Sequence, residues 1–224
     1  MTFLTPLLDV LTRPGVLILL AGGYLAGSIP FGLLLAKRVA RTDVRTEGSG
    51  NIGATNVARV VGKKLGALTL LLDALKAALP VLSVPFVCAM LWAGVFLPAD
   101  AQSTGPEPIR LVQACVGLAA FLGHCFPVWL RFRGGKGVAS GVGFLLAFAP
   151  AAAAFGIVVF AAGYALFRMV SLGSLLGAVT VMIAMCFLYP LDLTLLPVAM
   201  MFVLLILRHT SNIRRMWSKA ELKV

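Results

Sequence analysis

The sequence predicts an all-α protein: a polytopic membrane helix bundle of seven transmembrane helices, N-terminus outside and C-terminus cytoplasmic. Three observations carry this. Of 224 residues, 60% are hydrophobic and 12% charged, against about 45–50% and about 25% in a soluble domain, and the mean hydropathy is +1.01. A chain of this size cannot hide so much apolar surface in one small core, so its solvent is lipid. The apolar runs are continuous and do not alternate, which selects helices over a barrel. The basic residues also fall almost wholly into one alternate set of loops. The composition excludes disorder, a collagen-like chain, a disulfide scaffold and nucleic-acid-binding tails, so no nucleic acid is expected as a partner. A net charge of +11 instead suits anionic lipid headgroups, an anionic substrate, or both.

A spanning helix needs about 20 apolar residues. Residues 16–36 supply the first, 65–97 a long second broken by Pro80 and Pro85, and 111–130 a third. Residues 171–189 and 191–207 supply two more, parted at Pro190. Between them lies the stretch 138–167, with Pro150 midway. As one helix it would run about 45 Å, too long for an ordinary span; as two it gives short crossings. Charge decides. Sixteen of the 19 basic residues lie in the stretch 37–64, in 131–137, at Arg168 and in the tail from Arg208 to Lys223. Acidic Asp9, Asp100, Glu107 and Asp192 lie in the other set. Only two crossings put all sixteen on one side, which the positive-inside rule makes cytoplasmic. No repeat or linker is visible, so residues 1–224 read as a single membrane domain. Its cytoplasmic motif loops are about 37–64 and 131–137, and its cytoplasmic tail is 208–224. Thr2 to Asp9 lacks the basic start of a signal peptide. Cys88, Cys115, Cys125 and Cys186 form no CxxC pair and lie in apolar runs, which predicts buried thiols.

Chemistry concentrates in the basic loops. Gly48-Ser49-Gly50-Asn51-Ile52-Gly53-Ala54-Thr55-Asn56, followed by Arg59, is dense in glycine and small polar residues. Glycines let backbone N–H groups turn inward as an anion-binding nest, and Arg59 adds a fork for phosphate. The plainer reading is a polar loop at the membrane surface. Gly48, Gly50 and Gly53 match GxGxxG, but after a membrane span instead of a βαβ strand, so a dinucleotide fold is rejected. A second cluster, Arg131-Phe132-Arg133-Gly134-Gly135-Lys136-Gly137-Val138, leads into a helix start, where free N–H groups and the dipole favour an anion. It is not a Walker A loop, and its plainer reading is a positive anchor. His124 follows Gly123 at the inner end of the third span and reads as a packing or hydrogen-bonding residue. In the tail, His209 and Asn212 share a face if the helix continues, while Arg214, Arg215 and Lys219 suit anionic lipid. Asp73 and Lys76 sit inside the second span at i, i+3, where a mutual buried pair is expected. Ser171 fits a plain N-cap, and Ser174, one turn deeper, either faces a ligand or bonds back to its helix. There is no zinc spacing or acidic cluster for magnesium, and no metal or cofactor is expected. The H-x-x-x-x-D pattern of other acyltransferases is absent as well: Trp129 and Arg214 stand five residues after the two histidines.

Taken in order, Gly27-Ser28-Ile29-Pro30-Phe31-Gly32, the Gly48–Asn56 run with Arg59, Asp73-x-x-Lys76, Gly123-His124, Phe132-Arg133-Gly134-Gly135-Lys136-Gly137-Val138-Ala139 and Arg208-His209-x-x-Asn212 closely resemble the bacterial acyl-phosphate-dependent glycerol-3-phosphate acyltransferases, the PlsY family. The resemblance spans about residues 24–217. It departs from the family pattern at Arg133, where lysine is common, and at Ala77, where glycine is common. It implies a multi-pass enzyme of the bacterial cytoplasmic (inner) membrane with its site facing the cytoplasm. Such an enzyme moves a fatty acyl group from acyl phosphate to the 1-hydroxyl of glycerol 3-phosphate, giving lysophosphatidic acid and phosphate. An upstream enzyme producing acyl phosphate is then implied as a partner. The resemblance assigns substrate contact to Ser49, Arg59, Lys136, Ser174, His209 and Asn212. Around them, Gly48, Gly50, Asn51, Gly53, Thr55, Asn56, Gly134, Gly135 and Gly137 are expected to bind phosphate, with Asp73, Lys76 and His124 in support. The alternative is a lipid or organic-anion transporter, which predicts an inverted repeat and a site at mid-membrane.

Overall fold

The computed structural model describes residues 12–90, 106–218 and 220–221, and these are helical with short connections. Asp9, Asp100, Lys219 and Lys223 lie outside the described residues. Helix α1 (Pro14–Ser28) opens on a proline, whose missing N–H has no helical partner there in any case. It stops where Pro30 forces Ile29 into an extended conformation, and α2 (Phe31–Ala40) resumes after the break. Together they form one candidate span, Pro14–Ala40. A short α3 (Ala54–Val60) leads into α4 (Lys63–Met90).

The expected interruption of the second span does not occur: α4 runs through both Pro80 and Pro85. Each proline leaves the carbonyl four residues earlier without its helical donor. For Pro85 that carbonyl belongs to Val81, and Gln113 Nε2 on the neighbouring helix supplies a bond at 3.3 Å. At Pro85 a side chain of the neighbouring helix thus makes good part of what proline removes, as happens in other membrane helices.

Helix α5 (Pro106–Cys125) carries Gln113 and continues through a 3-10 turn, Val128–Leu130. Next come α6 (Val138–Phe148) and α7 (Pro150–Phe167), parted at Ala149 by Pro150 where the sequence placed the division. Helix α8 (Val170–Leu188) is followed by α9 (Leu195–Arg208) and α10 (Thr210–Trp217), which meet at a 48° bend. Five of these segments are long and apolar enough to cross a membrane, or six if the bent pair is one span. The expected seven is therefore not reached by length, because α6 rises only about 16 Å against a hydrocarbon core of about 30 Å. Lys136, just before α6, and Ser171, at the start of α8, line the same cavity, so α6 and α7 together leave that end of the molecule and return to it.

The bundle packs by close pairs: α1 along α5, α4 along α6, and α7 along α8. Small residues let the backbones approach, as Gly156 and Gly177 do between α7 and α8. At the centre Phe121 and Phe144 are fully buried, and Phe144 stacks on Phe148 at 5.2 Å. Cys88 and Cys125 are buried as expected, but Cys115 is half-buried and Cys186 is exposed, on the outward side of a turn whose Ala184 and Met185 are buried. A Cβ at Gly143 would overlap the Ala74 carbonyl of α4. Gly143→Val is accordingly expected to destabilise the fold by about 1–3 kcal/mol, the usual cost of overpacking. A melting temperature in detergent equal to that of the parent would show that the α4–α6 contact is not tight.

Candidate active site

Residues 41–53 fold around one buried side chain. Asn56, on α3, donates its amide Nδ2 to the carbonyls of Val44 (2.8 Å), Asn51 (2.9 Å) and Glu47 (3.1 Å). Its Oδ1 accepts the Ser49 N–H at 2.8 Å. Gly50 N–H goes to the Glu47 carbonyl at 2.9 Å, and Gly53 N–H to Asn51 Oδ1 at 2.8 Å. The N–H groups of Ser49, Gly50 and Gly53, expected to belong to an open nest, are therefore occupied by the loop itself. Gly48 and Gly50 do not line the cavity; they are needed for their positive φ of 59° and 70°.

The second glycine cluster behaves similarly. Gly134 N–H donates to the Cys125 carbonyl (3.1 Å) and Gly135 N–H to that of His124 (3.0 Å), strapping the loop to the end of α5. Arg208 closes the other side, with Nη2 to the Gly134 carbonyl at 2.6 Å and Nε to that of Gly135 at 3.0 Å. A Cβ at Gly135 would overlap the His124 ring. These two glycines bind protein backbone and place the next residues. Gly137, at φ 87°, lines the cavity and starts α6, whose first turn no side chain caps.

What the loops enclose is a polar cavity of about 310 Å³. Ser49, Asn51, Gly53, Thr55, Arg59, Lys136, Ser174, His209 and Asn212 all line it, from four separated parts of the sequence. Lys136 Nζ donates to Asn212 Oδ1. Ser174 Oγ donates back to the Val170 carbonyl at 2.8 Å, which leaves its oxygen free to accept. The ring of His209, only 2% exposed, meets the Leu205 carbonyl at 2.8 Å through Nδ1. A carbonyl can only accept, so the ring proton sits on Nδ1 and Nε2 is left as an acceptor. The helix does not continue through His209 as expected. It breaks there, and the 48° bend brings Asn212 to Lys136. Burial pulls the Lys136 ammonium down to about 8, with Glu221 opposing and Arg215, Arg59 and Arg208 adding to the fall.

Three members escaped the sequence. Ser171 is not an N-cap, since Met169 holds that position; its Oγ donates instead to Glu221 Oε1 at 2.6 Å. Asn212 Nδ2 donates to the same oxygen at 2.6 Å, and Arg215 Nε to Glu221 Oε2 at 3.0 Å. Arg215 thus faces the cavity and not lipid alone, and Glu221, with 6% of its side chain exposed, is a carboxylate inside a cationic site. Burial raises its pKa, but the bonds from Ser171, Asn212 and Arg215 prevail and hold it below the ordinary range. Nothing in the local sequence marks Glu221, because its role depends on the tail folding back after α10.

Beneath the cavity, Lys76 Nζ and Asp73 Oδ1 pair at 2.8 Å with side-chain exposures of 3% and 2%. Lys76 also donates to the Ile29 carbonyl at 2.8 Å, at the break that Pro30 makes. His124 Nδ1 lies 3.7 Å from Asp73 Oδ1. The expected pairing holds, and it ties α4 to the α1–α2 break and to the end of α5.

A second cavity, of about 470 Å³, runs from this site between α4, α6, α7, α8 and α9. Its lining is apolar, and it shares Ala67, Leu70, Val138, Ala139, Phe160 and Ser174 with the polar cavity, so the two adjoin.

Comparison with known proteins agrees with this architecture. Residues 17–219 match the family model described as glycerol-3-phosphate acyltransferase. A glycerol-3-phosphate acyltransferase of Anaeromyxobacter dehalogenans is 47% identical over 216 residues, covering 92% of this chain and 96% of that protein. One from Myxococcus xanthus is 47% identical over 200 residues, covering 89% and 94%. Among solved structures, the chain is similar to PlsY (YgiH), described as an integral membrane glycerol 3-phosphate acyltransferase. The glycerol 3-phosphate form matches with a TM-score of 0.78 at 34% identity, covering 93% of this chain and 95% of that one. The lysophosphatidic acid form matches with a TM-score of 0.75 at 33% identity, covering 93% and 94%.

Proposed function

The chain belongs to the glycerol-3-phosphate acyltransferase family and is an integral membrane protein; from that premise we propose that it acylates the 1-hydroxyl of glycerol 3-phosphate with acyl phosphate as donor. The products are lysophosphatidic acid and inorganic phosphate, and an enzyme that makes acyl phosphate must act before it. The observation that carries this reading is the junction of the two cavities. A pocket with Arg59, Lys136 and Arg215 in its wall adjoins an apolar one and shares part of its wall with it. That pair of environments fits a substrate with a phosphate at one end and a hydrocarbon chain at the other.

In the reaction, the substrate hydroxyl oxygen attacks the acyl carbon, and the bond from that carbon to the phosphate oxygen breaks. The hydroxyl proton ends on the departing phosphate. Phosphate is a good leaving group, so catalysis rests on positioning and on stabilising charge, and no strong general acid is needed. Ser49, Thr55 and Lys136 hold the acyl phosphate; Arg59, Ser174, His209 and Asn212 orient glycerol 3-phosphate. His209 Nε2 accepts from the attacking hydroxyl and aims it. The ring's other proton is held by a neutral carbonyl and not by the carboxylate that would steady an imidazolium, which favours the phosphate as final proton acceptor. Asn56, Gly134 and Gly135 act at one remove by fixing the loops. We place this face of the bundle in the cytoplasm, with α6 as a short crossing that completes seven, because the basic loops gather there.

The test is phosphate release by the purified protein in lipid, supplied with acyl phosphate, glycerol 3-phosphate, or both. Release that needs both, with lysophosphatidic acid formed in equal amount, is the expected result. Release with acyl phosphate alone, or transfer from a thioester donor only, would sink the assignment. A pH dependence follows from Lys136. It is charged below about 8 and neutral above, so kcat/KM, which reports the free enzyme, falls as pH rises through that value. In Lys136→Arg the residual activity is expected to lose this limb, because guanidinium stays charged; a limb that persists belongs to another group.

A further inference from the structure

The two glycine-rich loops that wall the polar cavity have a second side. Ser49, Asn51 and Gly53 line the cavity, while Gly50 and Ile52 between them line a separate groove. In the same way Lys136 and His209 face the cavity, and Gly134 and Arg208 the groove. The groove encloses about 800 Å³ and shares no lining residue with the cavity. Four guanidinium groups meet there, those of Arg45, Arg131, Arg133 and Arg208, with one carboxylate, Asp43. Arg45 already neutralises that carboxylate, through Nε at 2.9 Å and Nη2 at 2.6 Å, with Lys37 at 3.3 Å. Arg208 is spent on the Gly134 and Gly135 carbonyls. Arg131 and Arg133 are exposed, and among the described residues neither has a side-chain hydrogen bond or ion pair. Beside them Trp129 and Phe132 leave 61% and 58% of their surface exposed. The backbone accepts strain to present this set: Arg131 and Phe132 both adopt left-handed φ, 51° and 62°, where glycine would be unstrained.

Depth in the bilayer selects the occupant. The candidate spans Pro14–Ala40 and Ile109–Leu130 end shortly before Arg45 and Arg131, and α9 ends on Arg208. The four arginines therefore stand where hydrocarbon gives way to headgroups. Aromatic rings gather at that level in membrane proteins, and guanidinium binds two phosphate oxygens through parallel hydrogen bonds. A dissolved anion has no use for two exposed rings. We propose that this groove binds the headgroup of an anionic phospholipid from the leaflet nearest the polar cavity. Arg131 and Arg133 take its phosphate, and Trp129 and Phe132 pack on the carbons below. The site goes beyond the proposed reaction and does not depend on its acyl donor. Because the groove and the cavity share a wall, a seated lipid ties both loops to the leaflet and steadies Arg208 against the strap that places Lys136.

The experiment titrates the full-length protein, purified in neutral detergent, with phosphatidylglycerol or phosphatidylcholine and counts bound lipid by native mass spectrometry. The parent is expected to hold phosphatidylglycerol more tightly than phosphatidylcholine. Arg131→Gln/Arg133→Gln is expected to weaken phosphatidylglycerol binding roughly thirtyfold, the combined effect of two arginines at headgroup level. Lys63→Gln/Lys64→Gln removes the same charge from exposed positions outside the groove and is expected to bind as the parent does. Lys136→Met is expected to do so too, since a lipid lost with Lys136 would lie in the polar cavity. No preference for phosphatidylglycerol, equal losses in the two double variants, or loss in Lys136→Met overturns the proposal. So does displacement of the lipid by an equal concentration of inorganic phosphate, which would mark a site for the free anion. Should the arginine pair fold poorly, Arg133→Gln and Trp129→Ala are each expected to weaken binding by a smaller factor, and no loss in either overturns the proposal as well. Turnover is not measured, so a wrong donor assignment leaves these outcomes unchanged.

Discussion

Lys136→Met is expected to lower kcat/KM by about 10²–10³, equivalent to about 2.7–4 kcal/mol of transition-state stabilisation, as when one preorganised donor to a developing charge is removed. The size of the effect follows from placement. Lys136 is the residue at which the Gly134-Gly135 strap, the start of α6 and the α9–α10 bend converge, and its ammonium meets Asn212 inside the cavity. Burial makes a charge there strong toward an incoming anion, since little water screens it. Methionine keeps the length and apolar stem but removes the charge, and melting in detergent checks that the fold survives. A variant within twofold of the parent rate would remove Lys136 from the reaction.

The largest expected loss of stability comes from Lys76→Met. It leaves the Asp73 carboxylate inside the bundle with its cation gone, and it strips a donor from the Ile29 carbonyl at the break between α1 and α2. Removing one partner of a buried pair costs about 3–5 kcal/mol, mostly because the other charge stays buried. The double variant Asp73→Asn/Lys76→Met removes both charges and is expected to regain much of the loss. Thermal unfolding of the three proteins in one detergent decides it; a double variant as unstable as the single would show that the Ile29 bond, not the ion pair, is the important contact. Activity should fall with stability in the single variant, because α2 leads directly into the loop that carries Ser49.

Most of the site's membership was legible in the sequence, while the manner of its construction was not. Ser49, Arg59, Lys136, Ser174, His209 and Asn212 do line one cavity, and the motifs that marked them are local strings. The role of the glycines was harder to read. Gly134 and Gly135 suggested phosphate-binding N–H groups, yet those groups are satisfied by the end of α5, and only the folded chain shows which acceptor arrives first. Asn56 looked like a ligand group and is the pin of its own loop. Pro80 and Pro85 looked like breaks, yet α4 passes through both, and at Pro85 a donor from Gln113 serves the carbonyl that the proline frees.

The sequence alone determined the solvent of this protein, its helical class and the face on which its polar motifs gather. Each of these follows from summed properties, apolar length and net charge, that do not depend on which residue touches which. The tertiary structure decided which backbone groups are spent on the protein itself, where α9 bends to bring Asn212 to Lys136, and that Arg215 and Glu221 belong to the site at all. Those depend on contacts between residues far apart in the chain, and hydrogen-bond partners are settled by geometry at the scale of an ångström, which no local pattern encodes.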